Sequence, residues 1–185
     1  VVGSTGTTGS SIYGGDGNDT FFVLGGASGN SYLSTGAGTN LFTGGVLMGS
    51  STLEGGSGAD SLLITGLTTS TLIGAAGNDS LLITGAVTAS SISAGTGADT
   101  LAALTTVGAS TLLGSSDTSS LISVGGVISA SSSVLGGSGN DSLILNGMTT
   151  STLAGGAGAD SIYFAAAVQG VSVLGGTGAD SLFFN

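Results

Sequence analysis

Aspartates return at one spacing along this chain. "GGSGADSLLITG" at 55–66 recurs as "GAAGNDSLLITG" at 74–85, "GGSGNDSLILNG" at 136–147 and "GGTGADSLFFN" at 175–185. Asp19, Asp60, Asp79, Asp99, Asp141, Asp160 and Asp180 each close a glycine-rich loop just before an apolar run. Ten acidic side chains face no Lys, Arg or His, for a formal charge of −10, and Cys is absent as well. Imidazole, thiolate and amine chemistry is therefore excluded, as are the usual ligands of zinc, copper and haem. Nucleic acid and anionic lipid surfaces need cationic side chains and are excluded as partners. What remains is oxygen chemistry, and oxygen suits hard cations.

The loops supply such oxygens in two forms. Glycine permits the positive φ that turns backbone carbonyls toward one point, and the closing Asp adds a carboxylate. Equivalent carboxylates stacked about 5 Å apart would repel by roughly 3–4 kcal/mol at an effective dielectric near 20, so a column of them calls for cations between. Calcium accepts about six to eight oxygens in flexible geometry, whereas magnesium demands a strict octahedron, so calcium fits better. The expected ligands are the seven Asp carboxylates with the carbonyls of Gly15, Gly17, Gly56, Gly58, Gly77, Gly95, Gly97, Gly137, Gly139, Gly156, Gly158, Gly176 and Gly178. Two loops depart from the pattern: "STGAGTN" ends in Asn40, and "LGSSDTS" places Ser119 at the expected Asp, with Asp117 two positions early. Asn40 and Asp117 therefore mark weaker sites, and the best sites fall between the 60, 79 and 99 loops and between the 141, 160 and 180 loops.

Loops at such intervals need elements that stack. The chain divides at 13, 34, 54, 73, 93, 113, 135, 154 and 174, in steps of 19 to 22 residues. Two residues after each loop come Phe21, Phe42, Leu62, Leu81, Leu101, Leu121, Leu143, Ile162 and Leu182, and two further on Val23, Gly44, Ile64, Ile83, Ala103, Ser123, Leu145, Phe164 and Phe184. The other half of the unit supplies Leu33, Leu53, Leu72, Ile92, Leu112, Val134, Leu153 and Val173. Alternate apolar residues in short runs predict two strands per unit, and glycines every ten or so residues disfavour helix. A fixed period of this length predicts one coil per unit with a rise of about 4.8 Å. The expected fold is all-β: a right-handed parallel β-solenoid (β-roll) of about nine coils, one domain over 1–185, with half-coils at 1–12 and 174–185.

Gly14-Gly15-Asp16-Gly17-Asn18-Asp19-Thr20-Phe21 resembles the G-G-x-G-x-D-x-U-x nonapeptide of the repeats-in-toxin (RTX) family, as do the loops ending in Asp60, Asp141, Asp160 and Asp180. The loops ending in Asp79 and Asp99 keep most of the glycines. The resemblance implies calcium ions between successive loops and folding on export. It departs from the family in its longer coil and in its second turn, "TGLTTS" or "NGMTTS", which lacks Asp, so several ions should line one edge alone. The Asn-x-Ser/Thr matches at Asn18, Asn78 and Asn140 are read as by-products of the loop motif.

The outward positions differ between the strands. Phe22, Leu63, Leu82, Ile122, Ile144, Tyr163 and Phe183 form an apolar row, while Tyr32, Thr52, Thr71, Ser91, Thr111, Ser133, Thr152 and Ser172 form a polar one. A solvated sheet face is normally polar, so the apolar row is expected to pack on a neighbour, with self-association into a homo-oligomer or filament. No apolar run approaches the roughly 20 residues of a membrane span. The acids repeat without a unique pair or cleft, which argues against a two-carboxylate enzyme and a small-molecule substrate. The expectation is a secreted or cell-surface structural rod. The alternatives are a stalk or secretion segment of a larger RTX adhesin or toxin, and an ice binder using the Ser/Thr row.

Overall fold

Alternation decides which side chains go inside. In the run Ser61–Thr68, Leu62 and Ile64 are fully buried while Ser61 and Leu63 face outward. The computed structural model describes residues 2–4 and 6–185; within them the chain is all-β, without helix, in about nine turns of parallel solenoid. A representative coil has a strand after the Asp loop (Ser80–Ile83), a corner segment (Val87–Thr88), a second strand (Ser91–Thr96) and the next glycine loop. In other coils the first strand runs on through the corner, as in Leu41–Met48 and Ser142–Thr149. First strands and corners make one sheet, and second strands make another.

Pairing is in register, so equivalent residues stack into columns. Leu62 lies beside Leu81, which lies beside Leu101; on the second sheet Leu53, Leu72 and Ile92 do the same. The core lies between the sheets. A column absent from the sequence reading lines the corner: Ala27, Leu47, Leu67, Val87, Val107, Ile128 and Met148, all buried. The pattern "GLTTS" reads as a turn, although its Leu points inward. Each buried Leu or Ile contributes about 1.5–3 kcal/mol, so each unit is pinned at four points around its circuit. Where Gly44 leaves a gap in its column, the Phe42 ring fills it: a Cβ added at Gly44 would meet Phe42 Cε1 at 2.5 Å.

Two expectations are corrected. Leu101 pairs with Ile122, and Ala103 with Val124. Ser120, not Ser119, therefore occupies the Asp position, because the loop from Gly114 carries one residue more than its neighbours. Ile122 is buried, not part of the outward row, and Ser123 takes that place. A one-residue slip exchanges the faces of a strand, and this register buries Ile122 and Val124 instead of Leu121 and Ser123. At the start of the chain, Val2–Ser4 pairs with Phe21–Val23 as a first strand, followed by Thr7–Thr8 at the corner and Ser11–Tyr13 on the second sheet. Residues 2–4 and 6–12 are thus more than a second half-coil.

Candidate metal centre

Each loop-closing Asp folds back into its own coil. Asp60, Asp79, Asp99, Asp141 and Asp160 are only 2–3% exposed. Room for this comes from the first loop position. At Gly55 an added Cβ would lie 2.6 Å from Asp60 Oδ2, and Gly74 and Gly136 stand in the same relation to Asp79 and Asp141. One carboxylate oxygen is satisfied along the rod. Asp79 Oδ1 accepts the backbone N–H of Asp60 at 2.8 Å, Asp99 Oδ1 that of Asp79 at 2.8 Å, and Asp160 Oδ1 that of Asp141 at 2.8 Å. The other oxygen is not. Oδ2 of Asp19, Asp60, Asp79, Asp99, Asp141 and Asp160 is buried without a hydrogen-bond partner. An unpaired buried anionic oxygen is costly, and here it repeats down a column.

Asn40 shows what these oxygens face. It sits in the same column: its Oδ1 accepts the Asp19 N–H at 2.8 Å, and its own N–H donates to Asp60 Oδ1 at 2.8 Å. In the place of the unpartnered Oδ2 it carries Nδ2, which donates to the carbonyls of Gly38 at 3.2 Å and Gly36 at 3.5 Å. The second and fourth loop carbonyls therefore converge on that spot. An Asp at this position has no donor to offer such carbonyls, and its own Oδ2 is left unpartnered, so a cation is what the site lacks. Among the described residues no three acidic side chains gather at one point, so carbonyls must supply much of any coordination shell. The Gly15 carbonyl accepts one backbone N–H from the adjacent coil, which leaves it a lone pair, whereas the Gly95 carbonyl accepts both the N–H and the hydroxyl of Ser116, at 2.9 and 3.1 Å. The oxygen set fits calcium. Gly56 and Gly58 hold positive φ of 112° and 106°, and the carbonyls of Gly36 and Gly38 pack where their Cβ atoms would be. Ala75 occupies the equivalent of Gly56 at φ 84°, a strained conformation for a residue with a Cβ.

The electrostatics agree. Burial pushes the Asp79 carboxyl up to about 6; the Asp60 N–H it accepts opposes this, and the neighbouring Asp60 and Asp99 charges add to it. Burial likewise raises Asp141 to about 6, against the Ser120 N–H, with Asp160 contributing. Asp60 and Asp99 are also raised, mainly by burial. Asp117 behaves oppositely: exposed, it accepts the Gly97 N–H at 2.8 Å and the Ser115 hydroxyl at 2.8 Å, which hold its carboxyl below the usual range.

A family model described as the RTX calcium-binding nonapeptide repeat (4 copies) matches residues 150–165, which span the second strand, the loop to Asp160 and the strand after it. That match falls on one turn of a motif whose geometry repeats along the solenoid. Over those residues the chain is similar to RTX repeats, and its β-solenoid fits an RTX β-roll. No curated protein and no solved structure matches the chain. RTX nonapeptide repeats bind calcium, and the RTX β-roll is a structural, non-enzymatic repeat.

Around this edge the structure adds two ladders. At the fifth loop position Asn18, Asn78 and Asn140 accept the backbone N–H of Thr39, Ala98 and Ala159, at 2.8, 2.9 and 2.8 Å. This gives the Asn of "GND" a role in joining coils. At the opposite corner, the Ser of the repeated "S-T-L" is buried. Ser90 Oγ donates to Thr88 O at 2.7 Å and accepts the Ser70 N–H at 3.2 Å, and Ser31, Ser51, Ser110, Ser132 and Ser151 line the same column. The second edge is closed by hydroxyls. On the outer faces, Phe22, Ile144, Tyr163 and Phe183 are exposed, and Leu63 and Leu82 are half-buried. Glu54 lies on the second sheet and accepts the Tyr32 hydroxyl.

Proposed function

We propose that this RTX β-solenoid is a calcium-stiffened structural rod that works outside the cell and associates with copies of itself through its apolar row. The observation that carries the reading is the column of six buried carboxylate oxygens without partners, in a chain with no cationic side chain to neutralise them. Calcium, when bound, supplies the missing positive charge. Asp19, Asp60, Asp79, Asp99, Asp141, Asp160 and Asp180, with the loop carbonyls beside them, are the groups that would hold it. Extracellular calcium reaches the millimolar range at which weak sites fill, and RTX repeat proteins are typically secreted. Among the described residues no helix is long and apolar enough to cross a membrane.

The row Phe22, Leu63, Leu82, Ile144, Tyr163 and Phe183 supports self-association: within the sheet, away from the terminal strand, Phe22, Ile144 and Tyr163 stand 40%, 44% and 38% exposed. The same rod would serve as a stalk within a longer secreted chain. Chelation tests the calcium reading: removing divalent ions at neutral pH should abolish the β circular dichroism or expand the chain, and returning calcium should restore both. Unchanged dichroism and unchanged hydrodynamic radius in chelator would overturn it. Self-association is tested separately, by sedimentation of Tyr163→Asp against wild type in calcium. The variant should be monomeric where the wild type is not.

A further inference from the structure

Two coils in the ladder do without the feature that asks for a cation. Asn40 places an amide nitrogen where its neighbours place an anionic oxygen, and Nδ2 bonds the carbonyls of Gly36 and Gly38. Its first loop position is Thr35 instead of Gly, buried, with its hydroxyl bonded to the Gly55 carbonyl. The Ser120 coil reaches the same end differently. Ser120 Oγ accepts the Ser115 N–H, and its own N–H donates to Asp141 Oδ1 at 2.6 Å. Ser115 Oγ donates to Asp117 Oδ1 at 2.8 Å and accepts the N–H groups of Asp117 and Thr118 at 3.3 and 3.2 Å. Neither Asn40 nor Ser120 is among the buried side chains left with an unpartnered oxygen.

These coils differ on the outside too. Three residues after each loop-closing Asp the outward residue is apolar: Phe22, Leu63, Leu82, Ala102, Ile144, Tyr163 or Phe183. After Asn40 it is Thr43, and after Ser120 it is Ser123. The coils without the carboxylate thus also interrupt the apolar row.

We infer that the Asn40 and Ser120 coils are closed by their own donors, take no cation, and divide the rod into separately loading calcium segments, Asp60–Asp79–Asp99 and Asp141–Asp160–Asp180. The inference rests on the calcium reading above but concerns different residues, and Asn40 supplies its own control. In the Asn40 coil the amide does the work of the metal. Asn40→Asp exchanges two hydrogen bonds for another unpaired anion, so the melting temperature in chelator should fall below wild type, the variant should bind an additional calcium equivalent, and saturating calcium should recover the lost stability. Asp79→Asn transplants the device. Its melting temperature in chelator should rise, and its calcium capacity should fall in the first segment while the capacity and affinity of the second stay at wild-type values.

Calcium titration by calorimetry and melting in chelator, on the whole chain, read both variants. The segment assignment is overturned if Asp79→Asn weakens the Asp141–Asp180 equivalents as much as its own. The role of Asn40 is overturned if Asn40→Asp melts like wild type in chelator and binds no more calcium. Should Asn40→Asp fail to fold without calcium, its recovery on calcium addition supports the inference, and the absence of recovery together with an unstabilised Asp79→Asn overturns it. A wild type that binds no calcium would sink the proposed function, yet the chelator melts of Asn40→Asp and Asp79→Asn would still report on the donors of Asn40.

Discussion

At the residue scale, one position decides between a neutral and a charged ladder. Asp and Asn share a shape, and both present Oδ1 to the backbone N–H of the coil before; Asp79 and Asn40 do this at the same 2.8 Å. The second atom separates them, because a carboxylate oxygen has nothing to donate to two carbonyls and an amide nitrogen does. The serine corner solves the same stacking problem with a group that both donates and accepts. Ser90→Ala would leave the buried Ser70 N–H without its acceptor and remove the donor to Thr88 O, a loss of about 1–3 kcal/mol. Thr71→Ala, on the outward column beside it, should change stability by less than about 0.5 kcal/mol. Denaturant unfolding in calcium buffer separates the two. The Gly-rich loop motif, the acidic column and the absence of cations were all legible in the sequence at this scale. The burial of the serines was not, since Ser next to Thr on a strand gives no sign of which one points inward.

At the element scale, register is the quantity that matters. Eight of the nine loops keep a fixed spacing from first loop position to closing residue, and there, apart from the exposed terminal strand Ser181–Phe184, the alternation expected from sequence agrees with the buried columns. The loop after Gly114 carries an extra residue, and counting from its glycine moves Leu121 and Ser123 into the core by mistake. Pairing of Leu101 with Ile122 restores an apolar pair on each side. A substitution test follows. Ile122→Asn should cost at least about 2 kcal/mol through lost apolar contacts and a stranded amide, whereas Ser123→Asn should stay within about 0.5 kcal/mol. Equal effects in thermal or denaturant melts would place the strand in the other register.

At the scale of the whole molecule, charge and burial oppose each other. Asp79 and Asp141 have folded-state values near 6, above the ordinary carboxyl value of 3.8, so protonation favours the folded chain. Without divalent ions, stability should be greatest below about pH 4 and fall as pH rises through about 6, where buried carboxyls must ionise. Calcium binding needs ionised carboxylates, so its stabilisation should grow across the same interval. Melting curves from pH 4 to pH 8, with and without calcium, should therefore cross. A chelated sample that grew more stable with rising pH would contradict the buried ladder.

The sequence by itself determined the coil, its period and the edge that carries the acids. These follow from local alternation and from glycine at fixed intervals, which each unit states independently of its neighbours. Only the tertiary structure decided where Ile122 and the corner leucines point and what faces the second oxygen of each Asp. It also decided that the Asn40 amide donates to the carbonyls of Gly36 and Gly38. These depend on which residue of one coil lies against which residue of the next, and a chain read one unit at a time does not contain that contact.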